Sequence, residues 1–199
     1  MVPPHRSCTP AITTRDKKLT SVYKFCYLGS ILTSDARVHE DVSSRLAKAS
    51  HSFRRREKSL WGNHGICLDT KISVYIAVTD ICVLLYSCKS WTLYRHNKRK
   101  LNQFHMRCLC LIARIWLQDK IPKTEVLHVC NMTEIEAILM SAQFRWVGHV
   151  TWMDDTRIIK IVFYIEVEHG TQSKGGQLKR YKDTLKSNIT ACDLKPDEL

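Results

Sequence analysis

Apolar residues recur at helical spacing along most of the chain. The strongest repeat has intervals of three, four, three and four residues and comprises Leu101, Phe104, Cys108, Leu111 and Ile115. Such spacing places side chains on one face of an α-helix, so we predict an amphipathic helix whose apolar face packs in the core. The outer face of this helix holds Lys100, Gln103 and Arg107, which are expected to face solvent.

A second repeat, with intervals of four, three and four residues, lies nearer the N-terminus. Its members are Val42, Leu46, Ala49 and Phe53. They predict a helix whose opposite face carries Arg45, Lys48, Arg55 and Arg56. The two glycines of the GNHG segment at 62–65 are expected to end this helix.

Two further helices are predicted from apolar runs. The run over 70–90 is apolar nearly all round, which favours a buried helix capped by Asp69, although its β-branched residues leave a strand as the alternative. Thr133 and Glu136 have the spacing of a capping box and predict a helix that continues to about His149. The apolar positions of this last helix are Ile135, Ile138, Leu139, Ala142 and Trp146.

Strand-forming residues are concentrated near the N-terminus. Val22, Phe25, Tyr27 and Leu28 precede Gly29 and predict a short strand or hairpin, after a loose polar lead-in over 1–20. The predicted fold class is therefore mainly α, a helical bundle with a short N-terminal β element. We expect three parts: a flexible lead-in and β element at 1–35, a helical bundle at 36–116, and a helical extension with a basic tail at 117–199.

The chain is strongly basic, with 31 Lys and Arg against 19 acids in 199 residues, a formal net charge of +12. Much of the excess lies in three clusters, at 37–60, 89–107 and 174–186, and the second contains no acid. Positive side chains this close together repel one another, and a partner that supplies phosphates makes the repulsion easier to tolerate. Aromatic rings beside such a cluster can stack on bases. The aromatic residues beside the clusters are Trp61, Trp91, Tyr94 and Tyr181. The alternative for each cluster is a solvated helix face beside half-buried rings.

The charge pattern therefore predicts RNA or DNA as a partner, bound through phosphates with low sequence specificity. The predicted phosphate contacts are Arg45, Lys48, Arg54, Arg55, Arg56, Lys58, Lys98, Arg99, Lys100, Arg107, Lys174, Lys179, Arg180 and Lys182.

Other chemistry finds little support. His105, Cys108, Cys110, His128 and Cys130 have spacings unlike those of zinc sites, so we predict structural cysteines, no metal and no cofactor. The nine cysteines include no CxxC pair, and no apolar leader precedes them, which predicts free thiols in an intracellular protein, nuclear or cytoplasmic and not secreted. Asp80 interrupts the longest apolar run, which is shorter than the roughly 20 residues of a membrane span, so no membrane partner is expected.

Six segments carry a family resemblance: KFCYLGSILTSDARV, TKISVYIAV, LLYSCKSWTLYRHNKRKLNQFHMRCL, WLQDKIPKTEVL, QFRWVGHVTWMDD and SKGGQLKRYKDTLK. The first, with DVSSRLAKAS after it, resembles the end of the reverse-transcriptase domain in non-LTR (LINE-type) retrotransposons. The others, in this order, resemble the stretch that follows the polymerase palm in those proteins. The likeness covers about residues 20–195. The chain departs from the family pattern at Ser87 and Lys89, where Gly and Glu are expected, and at Cys110, where a basic residue is usual.

The resemblance implies a role for each part of the chain. Tyr27, Leu28 and Gly29 would lie in a strand near the primer grip, at the end of a palm-like region. The helices over 36–116 would form a thumb that packs against the primer–template duplex, and 117–199 would help to hold RNA or DNA. A separate palm domain would be a further partner.

The TWMDD segment at 151–155 resembles the metal-binding hairpin of a polymerase. Two-metal catalysis requires carboxylates from separate strands around metals roughly 4 Å apart. The resemblance places the paired aspartates before the Tyr27 strand, whereas Asp154 and Asp155 follow it by some 120 residues. We therefore predict a non-catalytic chain that lacks the palm, in which these acids cap the segment at 156–167 or pair with Arg157.

The sequence thus predicts a non-catalytic fragment of a retrotransposon reverse transcriptase that binds nucleic acid. Two alternatives stay open: a helical module that binds a protein partner in an apolar groove, and a decayed open reading frame with no retained function.

Overall fold

A computed structural model describes residues 13–14, 17–18, 20, 22–35, 38–79, 81–164 and 180–192. The predicted mainly α class is confirmed, because these residues contain eight α-helices and only two two-stranded antiparallel sheets. The predictions for most of the lead-in, and for the basic loop that contains Lys174 and Lys179, lie outside the described residues.

The predicted β element is a hairpin. A small sheet of β1 (Thr13–Thr14) and β2 (Lys17–Lys18) precedes β3 (Lys24–Tyr27), which pairs antiparallel with β4 (Ser30–Thr33). Leu28 and Gly29 form the two-residue loop, with φ of 47° and 81°. Positive φ at both central positions is the mark of a type I′ turn, whose twist matches that of the strands.

Helix α1 (His39–Arg55) confirms the predicted repeat of Val42, Leu46, Ala49 and Phe53: Leu46 is half-buried and the other three are buried. A π-helical turn over Glu57–Trp61 follows, and the helical path ends at Gly62, as the GNHG segment predicts. The prediction that Arg45 faces away from the stripe is wrong, because its side chain is only 5% exposed. Arg45 lies three residues after Val42 and four before Ala49, which is on the same helix face.

The helix predicted over 70–90 is helical but irregular, so the strand alternative is wrong. It consists of α2 (Leu68–Val74), a π-helical turn (Tyr75–Thr79) and α3 (Ile81–Leu84). The run ends at Leu84, before Ser87 adopts a left-handed φ of 65°. Asp69 lies inside the first turn, and Cys67 is the N-cap residue.

The remaining helices are α4 (Arg95–Ala113), α5 (Lys123–Val129), α6 (Ile135–Thr151), α7 (Ile158–Tyr164) and α8 (Tyr181–Ala191). None of the helices in the described ranges has both the length and the apolar character needed to cross a membrane.

The predicted stripes of α4 and α6 are only partly right. In α4, Leu101 and Cys108 are buried, but Leu111 is exposed and Ile115 lies beyond the helix, which ends at the left-handed Arg114. The capping box before α6 is absent, because Glu134 is the N-cap residue and makes no side-chain cap. Helix α6 also continues two residues past His149.

The core consists of two apolar clusters that share α1 and α4. The first contains Phe53, Tyr75 and Val126, and the second contains Val42 and Ile135. Phe104 packs against both clusters. Each cluster therefore includes residues from both sides of position 117, and the division of the chain at that position stays a prediction.

A chain of buried polar side chains links distant elements. The Asp41 carboxylate accepts hydrogen bonds from the Ile31 amide (3.0 Å) and from Trp91 Nε1 (3.1 Å). The Trp91 carbonyl accepts one from Gln143 Nε2 (2.9 Å), and Gln143 Oε1 accepts one from Asn188 Nδ2 (3.2 Å). These bonds join the hairpin, α1, the 85–94 connection, α6 and α8, so that the positions of these elements depend on one another.

Candidate nucleic-acid interface

The predicted phosphate contacts differ in how accessible their side chains are. Eight are on the surface: Lys48, Arg54, Arg55, Lys58, Arg99, Lys100, Arg107 and Arg180. Three others make contacts within the chain. Arg56 donates to Ser52 Oγ (2.9 Å), Lys98 forms an ion pair with Glu136 (3.2 Å), and Lys182 lies over the Phe163 ring (5.9 Å).

The structure brings two of the basic clusters together in a groove between α1 and α4. Arg54 and Arg107 both line this groove, which has a volume of about 170 Å³, although they are more than fifty residues apart in the chain. Phe53 and Phe104 contribute apolar lining, and Glu57 contributes one carboxylate. We refer to it as the α1–α4 groove.

Lys100 extends the positive surface along α4. It lies seven residues before Arg107, and two helical turns bring residues at this spacing back to the same side of a helix. Both side chains are exposed. Arg107 and Lys100 therefore lie on one side of α4, and Arg54 of α1 lines the same groove as Arg107.

Other predicted contacts lie on different faces. Lys48 and Arg55 are also seven residues apart and share one side of α1, about 100° around the helix from Arg54. Arg99 lines a second groove, of about 530 Å³, with Asn102, Gln103 and Lys123. The cations that the sequence groups together are thus divided among at least three surfaces.

The buried Arg45 side chain makes its contacts within the protein. Its Nη2 donates to the Gly29 carbonyl (2.9 Å) and to Ser30 Oγ (3.1 Å), and its Nε lies 3.6 Å from the Asp41 carboxylate. Its guanidinium also stacks on the Tyr86 ring, 4.6 Å from the centroid. These contacts hold the hairpin loop against α1, so we do not include Arg45 in the proposed phosphate contacts.

The tryptophans beside the basic clusters belong to the core. Trp61 is 2% exposed and Trp91 is 3% exposed, so the expectation of stacking or half-buried rings is wrong for both. Tyr94 is half-buried, and the Tyr181 hydroxyl donates to the Lys89 carbonyl (2.8 Å). Burial raises the pKa of Tyr181 to about 12, so its phenol stays neutral at physiological pH.

The hairpin presents an aromatic face that the charge pattern does not indicate. Tyr23, Phe25 and Tyr27 alternate along the strand, which puts them on one face, and all three are exposed. The Phe25 and Tyr27 rings are stacked, with centroids 6.4 Å apart. The resemblance singles out Tyr27, Leu28 and Gly29, which lie at the tip of this hairpin, where the Leu28 side chain is 74% exposed. The i, i+2, i+4 spacing of Tyr23, Phe25 and Tyr27 is the feature of the sequence from which this aromatic face could be predicted.

The two acids of the TWMDD segment take part in the loop before α7. The Asp155 carboxylate pairs with Lys160 (2.7 Å) rather than with Arg157, and this hydrogen bond lowers the Asp155 pKa. Asp154 Oδ1 accepts a long hydrogen bond from the Thr156 amide (3.5 Å), and its carbonyl accepts one from the Arg157 amide (3.0 Å). Of the side-chain capping that the sequence predicts, the structure shows only this contact between the Asp154 carboxylate and the Thr156 amide.

The residues considered for zinc are divided between core and surface. His105 is buried and contacts the Tyr75 hydroxyl through Nδ1 (2.9 Å) and the Thr133 carbonyl through Nε2 (3.2 Å), and burial lowers its pKa. Cys130 is a buried free thiol whose pKa is raised to about 11 by burial. Within the described ranges, no three His, Cys, Asp or Glu residues lie close enough together to hold a metal ion.

Comparisons of the chain with protein-family models, with curated proteins and with solved structures find no match.

Proposed function

We propose that this chain is a non-catalytic nucleic-acid-binding domain, related to the region after the palm in LINE-type reverse transcriptases, and that it grips a sugar–phosphate backbone. One observation carries the binding proposal: Arg54 and Arg107, from separate basic clusters, line the same α1–α4 groove. Lys100 adds a third cation on the same side of α4.

The composition of this groove suits a phosphate chain. Arginine guanidinium groups bind phosphate oxygens through two parallel hydrogen bonds, and the apolar lining lowers the local dielectric and strengthens the attraction. Among the described residues, Glu57 is the only acid that lines the groove, and the net charge of +12 favours the approach of a polyanion. Such contacts read no bases, which accounts for the low sequence specificity that we propose.

The family relation rests on the order of the six resembling segments over about residues 20–195. A backbone detail supports it: Ser87, which stands where the family is expected to have Gly, has a φ of 65°. Glycine adopts this left-handed conformation without steric cost, whereas other residues rarely adopt it.

The decisive experiment is a salt titration of the full chain with a labelled RNA–DNA hybrid, followed by fluorescence anisotropy. If six to ten phosphates are contacted, affinity should fall by about 10³–10⁵ between 50 and 200 mM salt. Absence of binding at low salt, or an affinity that does not respond to salt, would contradict the proposal.

A pair of matched double variants tests the site itself. Arg54→Gln with Arg107→Gln should lower the slope of log K against log salt by about two, since each lost phosphate contact removes about 0.9. Arg145→Gln with Lys186→Gln removes the same charge from exposed positions on α6 and α8 and should leave the slope nearly unchanged. Equal losses in the two double variants would show that net charge, and not the α1–α4 groove, determines binding.

A further inference from the structure

Helix α7 exposes an unusual amount of apolar surface. Ile158 is 76% exposed and Val162 is 64% exposed, and Ile159, Ile161 and Tyr164 of the same seven-residue helix are also exposed. Single exposed apolar side chains are normal in a soluble protein, but a contiguous patch marks an interaction site. This patch is not used by the proposed phosphate contacts of α1 and α4.

Part of the patch lines a groove between α6, α7 and α8, which we call the α7 groove. Ile158, Ile159 and Val162 line it together with three rings: Trp146 packs edge-on against Phe163 (5.8 Å between centroids) and against Tyr181 (5.7 Å). The volume of the groove, about 490 Å³, lies within the roughly 300–1,000 Å³ of typical ligand sites. Its lining is almost entirely apolar apart from two cations.

Those cations are Arg180 and Lys182, at the start of α8. Neither side chain forms an ion pair within the described ranges. The nearby Asp183 carboxylate accepts a hydrogen bond from the Arg180 amide (3.3 Å). The α7 groove thus combines an apolar surface with positive charge at its edge, and a complementary ligand has an apolar face beside negative charge.

We propose that the α7 groove binds an amphipathic helix that has an apolar face and acidic flanks. Helix α7 is about 10 Å long at 1.5 Å per residue, which matches two turns of a partner helix with anchors at i, i+3 or i+4, and i+7. A second copy of this chain fits less well, because its own α7 groove presents Arg180 and Lys182 and no acid among the described lining residues. The inference does not use the α1–α4 groove, and it assigns Arg180 and Lys182, which the sequence predicts as phosphate contacts, to a different surface.

The test uses the full chain and two labelled helical peptides with the same leucines at i, i+3, i+4 and i+7, one flanked by Glu and the other by Lys. We expect saturable binding of the Glu peptide and at least about tenfold weaker binding of the Lys peptide, because like charges at an interface are repulsive. Equal affinities for the two peptides, or no binding of either, would overturn the proposal.

Two variants of α7 locate the site. Val162→Glu places a carboxylate in the groove and should weaken binding of the Glu peptide at least about tenfold. Ile161→Glu places the same carboxylate at another exposed position of α7 that does not line the groove, and should retain the affinity within about twofold. Circular dichroism of both variants checks the fold, and equal losses of affinity would contradict the assignment.

Two further measurements distinguish the proposed helix from two other possible occupants of the α7 groove, a lipid surface and a second copy of the chain. If phosphatidylserine vesicles bind the chain more tightly than the Glu peptide, and Val162→Glu but not Ile161→Glu abolishes this, the occupant is a lipid surface and the proposal is wrong. If sedimentation shows a dimer that only Val162→Glu dissociates, the occupant is a second copy and the proposal is again wrong. Monomeric protein that does not bind the vesicles agrees with the proposal.

Discussion

Ser87 has a backbone conformation that residues with a Cβ rarely adopt, with φ at 65°. Glycine there removes the steric conflict, so Ser87→Gly should raise the free energy of unfolding by about 1 kcal/mol. Urea denaturation measures this change. Ser187→Gly, at an exposed position inside α8, should instead lower the free energy of unfolding by roughly 0.5–1 kcal/mol. Destabilisation by both substitutions would contradict our account of Ser87.

His105 makes the stability of the protein depend on pH. The Thr133 carbonyl can only accept, so Nε2 carries the proton and Nδ1 accepts a hydrogen bond from the Tyr75 hydroxyl. Burial lowers the pKa of His105 from its ordinary value of 6.5, so the unfolded chain binds this proton more readily. This contribution to stability is complete above pH 6.5 and is lost as the pH falls below that value.

We therefore expect the free energy of unfolding to decrease as the pH falls below 6.5, and His105→Gln to make this decrease shallower. Urea denaturation over pH 5 to 8 measures both. His51→Gln makes the same substitution at an exposed position of α1 and serves as the matched control. A decrease of the same steepness in His105→Gln would show that other groups cause it.

Periodicity predicts apolar residues better than buried polar ones. Val42 and Phe53 follow from the spacing of the α1 stripe, but a pattern that classes Arg as polar assigns Arg45 to the surface. Its burial depends on the Gly29 carbonyl, the Ser30 hydroxyl and the Asp41 carboxylate. The first two belong to the hairpin, and only the docking of that hairpin on α1 brings them near.

At the scale of elements, Asp41 and Arg45 fix the hairpin to α1. Asp41→Ala leaves the buried Arg45 charge without a counter-charge and the Ile31 amide without its acceptor. Removing one partner of a buried pair costs about 3–5 kcal/mol, so we expect a loss of this size in urea denaturation. Hydrogen exchange at the Ile31 amide should accelerate as well.

The neighbouring acid provides the control. Glu40 pairs with Lys24 (2.7 Å) at the surface, where both side chains are partly exposed. Surface pairs contribute about 0–1 kcal/mol, so Glu40→Ala should have a small effect. Similar losses for Asp41→Ala and Glu40→Ala would mean that burial of the Asp41–Arg45 pair has no energetic importance.

An element can be predicted from the sequence where its backbone is regular, and the prediction is wrong in detail where the helix is irregular. Helix α1 is predicted because its apolar residues keep one period throughout, and the hairpin is predicted because strand-forming residues precede Gly29. The π-helical turn at Tyr75–Thr79 changes the number of residues per turn, so no single period describes the segment that contains it. Helix α4 ends at Arg114 in a left-handed conformation, and no glycine marks that end.

At the scale of the whole molecule, the described elements form a connected unit. Phe104 packs against both apolar clusters, and the polar chain from Asp41 to Asn188 links α1, the 85–94 connection, α6 and α8. We therefore expect a single cooperative unfolding transition, with coincident curves from far-UV circular dichroism and tryptophan fluorescence. Broad or separate transitions would favour the alternative of a decayed reading frame.

The site could be predicted in composition but not in arrangement. The charge clusters correctly indicate that Arg54 and Arg107 are exposed, yet nothing in the sequence places them in one groove, because this depends on how α1 crosses α4. For the α7 patch, the composition itself gives the wrong expectation. Ile158, Ile159 and Val162 have the composition of a core helix, and only the tertiary structure reveals that they are exposed.

The hairpin has a consequence for handling the protein. The Asp41 carboxylate binds the Ile31 amide on the outer side of β4, whereas no strand in the described ranges pairs with the outer side of β3. An open strand edge of this kind is a template for the strands of other molecules. Mutual repulsion of chains that each carry a formal charge of +12 opposes such stacking at low ionic strength. Concentrated stocks should therefore stay clear in dilute buffer and form fibrous aggregates as salt screens that repulsion.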